Sequence, residues 1–243
     1  MTEVNPLQSR KGWSSQGACN VCNLTDICLS SGVSSDIVES LSQVMRRNRT
    51  IQRGEYVYHA GDRFTGFFAL KSGTAKLVYL DTHGYETIIS VLLPGELQGF
   101  DGVASGRYMC SLVALETSAY CELGAQDLSH LNEKNAAFQK IMQHKACEQS
   151  DRYIRRIATS LRPAEERLAL FLIDLGQRAM DRGFPSEELN LTLTRQEIGN
   201  HLGLAVETIS RLLGKFEAVN LIDVQGKKIH IINMEALRQI CRK

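Results

Sequence analysis

The stretch Ala18–Leu29, ACNVCNLTDICL, sets Cys19, Cys22 and Cys28 at C-x2-C-x5-C in a segment otherwise too polar to form a core. Thiolates are soft ligands, and three of them need only a fourth donor to complete a tetrahedral zinc site or an iron–sulfur cluster. Structural zinc more often pairs one C-x2-C with a second such pair or with two nearby histidines. No second pair exists here, and the six histidines are scattered. The longer x5 loop lets a third thiolate reach round a bulkier cubane, so the spacing leans towards iron–sulfur and leaves zinc open. Candidates for the fourth sulfur are Cys110, Cys121, Cys147 and Cys241. Of these, Cys110, Cys147 and Cys241 read better as small apolar residues in a strand, on a helix seam and in a terminal helix.

A second set of residues has the chemistry of base reading. In LTRQEIGNHLGLAVETISRLLGKFEAVNLI, residues 193–222, Thr194 and Glu197 form a capping box at a helix start. Ile198 and Leu202 make its apolar face, and Gly203 supplies a tight turn. A second helix follows from about Val206 to Val219, expected to bury Val206, Ile209, Leu213 and Phe216. Two short helices joined in this way are a helix-turn-helix, whose second helix enters the major groove. Its outward residues are Glu207, Thr208, Ser210, Arg211 and Lys215. Arginine can bind both acceptors of a guanine edge, a carboxylate can accept from cytosine, and hydroxyls serve several bases. Lys215 lies one turn further on and suits phosphate. LIDVQGKKIHII then reads as a hairpin turning at Gln225–Gly226, a wing whose Lys227 and Lys228 meet the backbone. Ala205 stands at the N-cap of the second helix, where Ser or Thr would add about 1 kcal/mol.

Several elements must carry these groups. Residues 1–18 read as a flexible arm, so that residues 1–30 form a cysteine-bearing unit. The spacing of Ile37, Leu41 and Val44 predicts a short helix from about Ser34 to Arg49. Glycines then recur at Gly54, Gly61, Gly73, Gly84 and Gly95 between β-prone runs, and strand signals continue to about Leu123. That rhythm predicts a β-sandwich or barrel over residues 31–134. One long helix follows from Asn135 to Leu161, over a unit set at residues 135–162 and ended by Pro163. Its Cys147, Ile154 and Leu161 lie seven apart and Ile157 fills a second heptad position, a seam suited to a parallel partner helix. Phe138, Ile141 and Met142 face elsewhere, towards the β-domain. Residues 163–243 form the DNA-binding domain, opened by a helix with Leu168, Phe171, Leu172 and Leu175 on one face. The fold class is therefore α+β: an N-terminal jelly-roll-like β-roll, a dimerisation helix and a C-terminal winged helix-turn-helix.

Bulk properties narrow the function. The 243 residues are 43% hydrophobic and 23% charged, as in globular proteins, and the net charge of +1 gives no general pull towards nucleic acid. DNA binding must rest on the local motif. Met1–Ala18 has no apolar run of the signal-peptide kind, and no stretch approaches the ~20 apolar residues that span a bilayer. A cytoplasmic location without membrane contact is expected, where clustered thiols serve metals more often than disulfides. An iron–sulfur electron carrier or enzyme fits poorly. The chain has ligands for one cluster and no dinucleotide fingerprint, Walker loop or nucleophile–base pattern.

Together these pieces resemble the CRP/FNR superfamily, and within it the oxygen-responsive FNR-type regulators. The resemblance rests on the cysteine arm, the turn glycines, LVALETSAYCEL, AEERLALFL and IGNHLGLAVETISRLLGKF, and covers nearly the whole chain. It implies a [4Fe–4S] cluster on Cys19, Cys22, Cys28 and Cys121, and a homodimer formed through the long helix. It further implies TTGAT-like palindromic sites read by Glu207, Ser210 and Arg211 in E-x-x-S-R, and RNA polymerase facing the loop Asp81–Glu86. Cyclic-nucleotide binders of the superfamily carry G-E-L followed by an Arg-Ser pair. Gly95-Glu96-Leu97 is present here, but Ser111 and Leu112 stand where that pair aligns, so no cyclic nucleotide is expected. Three departures from the pattern stand out. Val21 and Asn23 flank Cys22 where relatives often place Asp and Ser. Ile154 aligns with an aspartate that opposes pairing, which favours a dimer even without a cluster. Arg152, Arg155 and Arg156 replace largely apolar or acidic residues, and are expected to repel across the dyad or to pair with Glu148 and Asp151. Zinc, or a thiol redox switch on the same DNA-binding frame, is the alternative reading of the cysteines.

Overall fold

The computed structural model of the chain describes Cys19, Cys22, Leu24, Cys28 and residues 35–47 and 50–241. Residues 1–18, Val21 and Asn23 lie outside the described residues.

Among the described residues, eight short strands build the β-roll. They are β1 (Met45–Arg47), β2 (Tyr56–Tyr58), β3 (Gly66–Ser72), β4 (Ala75–Leu80), β5 (Glu86–Leu92), β6 (Leu97–Gln98), β7 (Ser111–Ala114) and β8 (Ala119–Gly124). One antiparallel sheet runs β1-β8-β3-β6 and the other β2-β7-β4-β5. Successive side chains of a strand face opposite ways, and here both faces are covered. Phe68 and Leu70 of β3 enter the core between the sheets with Leu77 and Leu112. Phe67 and Ala69 of the same strand point outward into a cluster with Leu123 and helical residues. That is why FFAL reads as an unbroken apolar run rather than an alternating one.

Three helices cover that outer face. Helix α1 (Ser35–Val44) supplies Ile37 and Leu41, and α2 (Ala125–Lys134) supplies Leu128 and Leu131. The long α3 (Ala136–Ser160) supplies the buried Phe138 and Met142 from its first turns. Asn135 caps α3, accepting from the backbone N–H groups of Ala137 and Phe138 at 3.0 and 3.2 Å. Beyond Met142, α3 has no further buried residue among those described.

Val78, Ile88, Val91 and Val113 on the outer face of the second sheet join the core of the C-terminal unit. That unit comprises α4 (Ala164–Met180), α5 (Arg195–Leu202), α6 (Val206–Ala218), α7 (Met234–Ile240) and a three-stranded sheet ordered β10-β11-β9. The strands are β9 (Glu188–Asn190), β10 (Ile222–Gln225) and β11 (Lys228–Ile231). Leu168, Phe171, Leu172 and Leu175 of α4 are all buried, as their shared face predicts.

Three local features differ from the expectation. The helix expected to reach Arg49 ends at Val44, and Met45–Arg47 pair as a strand with β8, so tertiary pairing overrides local propensity. α2 was not foreseen, because Leu128 and Leu131 are its only apolar residues packed on the core. β9 was not foreseen either, since only Leu189 of its three residues is buried.

Candidate DNA-reading face and thiol site

Helix α5 opens with the reciprocal capping box. Thr194 Oγ1 accepts from Glu197 N at 3.1 Å, and Glu197 Oε2 accepts from Thr194 N at 2.8 Å. The turn into α6 depends on two glycines. Gly203 ends α5 at φ 64°, in the left-handed region that glycine tolerates best. A Cβ at Gly199 would stand 2.5 Å from the carbonyl oxygen of Leu204. Helix α6 then buries Ile209, Leu212, Leu213 and Phe216. Val206 is a correction: expected in the core, it lies 37% exposed at the helix start, one turn before Ile209 takes the buried position.

Glu207 and Arg211 are exposed on the outer face of α6, while Thr208 and Ser210 are half-buried beside them. Lys215 is exposed but tied to α4, its Nζ lying 2.6 Å from Glu165 Oε2. DNA phosphate would have to compete with that carboxylate. The wing turns through Gly226 and Lys227 between the paired Gln225 and Lys228, and both lysines are exposed.

The thiols lie around the outer face of the first sheet. Cys19, Cys28 and Cys121 pack, half-buried, against the cluster containing Leu41, Phe67, Phe138 and Met142. Ser42 of α1 secures the arm: its Oγ accepts from Cys19 N and donates to Val38 O, each at 2.8 Å. Cys22 N donates to Cys19 O at 3.2 Å, and Cys28 N donates to Leu24 O at 2.9 Å. Cys121 sits within β8, opposite Ala69 of β3 and Arg47 of β1. Four half-buried thiols, three of them on one apolar surface, are a donor set whose chemistry fits an iron–sulfur cluster. Among the described residues no ready-formed metal-holding group of three or more His, Cys, Asp or Glu side chains is found. Cys110 belongs to the separate core between the sheets, where burial, with Asp101 adding to it, pushes its thiol up to about 12. Cys147 is exposed on α3, and Cys241 is half-buried where α7 ends. The other seam residues, Ile154, Ile157 and Leu161, are 63, 67 and 87% exposed in the single chain.

The G-E-L motif has a use that the sequence did not disclose. Glu96 is 5% exposed and surrounded by three guanidinium groups. Arg178 Nη2 lies 2.7 Å from Oε2, and Arg182 Nη2 and Arg152 Nη1 lie 2.7 and 3.0 Å from Oε1. Burial alone would raise this carboxyl, but Arg178, then Arg152 and Arg182, outweigh it and hold it at about 2. Arg152 therefore pairs with the roll, not with Glu148 or Asp151; Glu148 bonds Lys145 and His144 instead. Arg156 likewise turns inward, donating to the carbonyls of Ile89 and His201 at 3.0 and 2.7 Å. At the position of the missing arginine, Ser111 Oγ accepts from Ala60 N, and Leu112 is buried.

Side chains of the C-terminal unit also bond the backbone of β5. Asn200 Oδ1 accepts from Ile88 N and its Nδ2 donates to Glu86 O, both at 2.7 Å. His201 Nδ1 lies 3.0 Å from Ile88 O, and its ring is 5.5 Å from that of Phe171. Burial, with the Arg156 charge adding to it, lowers His201 to about 4, so the ring is neutral at pH 7 and Nδ1 is the donor.

This geometry is that of a known architecture. Residues 48–135 match the cyclic nucleotide-binding domain and residues 166–240 the Crp-like helix-turn-helix domain. The fold is shared with FixK2 from Bradyrhizobium japonicum, at a TM-score of 0.72 and 19% identity over 79% of this chain and 96% of that one. A β-roll, a long helix and a helix-turn-helix in this order define a DNA-binding transcriptional regulator of the CRP/FNR superfamily. The fumarate and nitrate reduction regulatory protein of Escherichia coli is 37% identical over 223 residues, 91% of this chain and 89% of that protein. The transcriptional activator protein anr of Pseudomonas aeruginosa is 35% identical over 219 residues, 90% of each chain. The chain belongs to the family of fumarate and nitrate reduction regulators, the FNR family.

Two predictions follow from the buried charges. Glu96→Gln leaves three arginines facing a neutral amide, and breaking a buried pair in this way costs about 3–5 kcal/mol; denaturant unfolding at pH 7 measures it. His201 has a folded pKa of about 4, below its ordinary 6.5, so the unfolded chain binds the extra proton. Its contribution is complete above pH 6.5 and is lost as pH falls through that window towards 4. The loss is on the order of 3 kcal/mol, and His201→Asn should flatten this part of the stability–pH curve.

Proposed function

We propose that this chain is an oxygen-responsive regulator of anaerobic transcription in the cytoplasm. It binds TTGAT-like palindromes as a homodimer and carries a [4Fe–4S] cluster on Cys19, Cys22, Cys28 and Cys121. The observation that carries the sensing part is that Cys19, Cys28 and Cys121 pack against the same cluster as Phe138 and Met142 of α3. When bound, the cluster supplies an iron–sulfur centre that oxygen destroys. The chain's own residues do the rest. Ser42 anchors Cys19 to α1, and Leu41 and Phe138 bring α1 and α3 onto one face, so the seating of the arm bears directly on the start of α3. The other end of α3 presents Ile154, Ile157 and Leu161 to a second copy. The pairing of these seams sets the distance between two α6 helices, which must lie ~34 Å apart to meet successive major grooves. A few kcal/mol of bias between two arrangements suffices to switch binding.

Glu207, Ser210 and Arg211 read bases, Thr208 supports them, and Lys215, Lys227 and Lys228 contact phosphate. No cyclic nucleotide is required: Glu96 is already committed to three arginines, and Ser111 and Leu112 offer a cyclic phosphate no counter-charge. The turn Asp81–Glu86, where Tyr85 is 72% exposed, is the surface offered to RNA polymerase.

Two measurements test this reading. Protein prepared without oxygen should contain iron and acid-labile sulfide in equal amounts; Cys121→Ser should lose both, while Cys110→Ser keeps them. Stoichiometric zinc without iron would favour the thiol–zinc alternative. Arg211→Ala should weaken binding by about 1–3 kcal/mol and relax preference at a single base pair; equal losses on every sequence would reassign Arg211 to phosphate.

A further inference from the structure

Between the roll and the DNA-binding domain the structure leaves a cleft of about 470 Å³. β5 and the C-terminal half of α3 form one side, and α4 with the end of α5 the other. Its apolar lining includes Ile89, Leu170, Phe171 and Ile173. Six arginines stand around it against one aspartate, Asp174, which is itself bonded to Arg178 at 3.0 Å. Three of these cations have no carboxylate partner among the described residues. Arg156 donates to backbone carbonyls. Arg167 donates through Nη1 to Leu202 O at 2.9 Å, while its Nε is buried with no acceptor among the described residues. Arg155 is exposed on α3. Cations set in low-dielectric walls focus a positive field into the space between them. The lowered His201 on the same lining is consistent with that excess.

Clefts of several hundred Å³ at domain interfaces, apolar with a few convergent polar groups, are typical small-molecule sites. We propose that this cleft binds a small amphiphilic organic anion, an aromatic or branched apolar body carrying a carboxylate or phosphate. The acid end meets Arg155 and Arg156, with the charge of Arg167 behind them, and the body lies against Leu170 and Phe171. Such a ligand touches the roll, α3 and the DNA-binding domain together, so its binding favours their docked arrangement. This consequence for DNA binding rests on the proposed function; the binding itself does not.

The test is calorimetric titration of the full-length, anaerobically prepared protein with anilinonaphthalene sulfonate, an apolar anion. One saturable site per chain is expected. Binding should weaken at least about ten-fold in Arg155→Glu, with the thermal midpoint unchanged, and weaken likewise in Leu170→Trp, which puts an indole where the apolar body would lie. Displacement of the probe by benzoate or by phenyl phosphate supports the proposal and tells which acid the cleft prefers. Binding that neither substitution alters overturns it. Binding confined to dissociated monomers also overturns it, since a second copy then covers the cleft, as does displacement of the probe by non-specific duplex DNA. An empty cleft would leave the base preference at Arg211 intact, and loss of that preference would leave the titration intact.

Discussion

A carboxylate sealed inside a protein persists only where cations replace the water it has lost. Glu96 is such a group, and the arrangement of the molecule turns on how it is satisfied. Its three partners come from two other elements: Arg152 from α3, and Arg178 and Arg182 from α4 and its C-terminal end. One side chain of the roll thus fixes both the long helix α3 and the first helix of the DNA-binding domain. Arg178 Nη2 also donates to Val91 O at 2.6 Å and Arg182 Nε to Pro94 O at 2.6 Å, so the same guanidinium groups grip the backbone on either side. Because the network is closed, a position that could serve as a ligand contact serves here as a joint between domains.

The joint gives α5 two roles. Its buried residues, Ile198 and Leu202, support α6, while Asn200 and His201 reach back to β5. Glu197 completes the capping box and also accepts from Lys76 Nζ on β4 at 2.7 Å. A helix-turn-helix held by its own core alone could pivot freely about the end of α3. Here polar contacts to β4 and β5 define one orientation, and leaving it requires several of them to break together.

Much of this was legible beforehand, and what was not has physical causes. The capping box, the turn at Gly203 and the basic wing were readable because cap chemistry and tight turns are encoded within a few residues. The same holds for the long helix, bounded by Asn135 and Pro163. The short strands β1, β6 and β9 were not, since two or three residues carry no periodicity and exist only through their neighbours. Arg152 and Arg156 were read as surface charges of a helix facing its twin, but their partners lie 56 and 67 positions away in sequence, beyond the reach of any local pattern. Glu96 was read only as part of a cyclic-nucleotide signature that the chain leaves incomplete, whereas the arginines that claim it lie on α3 and at the end of α4, far along the chain. At the thiols, spacing indicated a soft-ligand site, while Ser42, which tethers Cys19, carried no signal in a helix of ordinary polarity.

One consequence concerns β5. It is the outermost strand of its sheet, and its sequence, ETIISVL, is rich in β-branched residues. A bare edge of that kind invites pairing with another chain. In this molecule the outward amide of Ile88 and the carbonyls of Glu86, Ile88, Ile89 and Val91 are all occupied by Asn200, His201, Arg156 and Arg178. The side chains of α3, α4 and α5 that orient the helix-turn-helix are therefore also the guard of an otherwise sticky border. Lifting this cover would expose the strand edge, so the contacts that orient the C-terminal unit also oppose self-association.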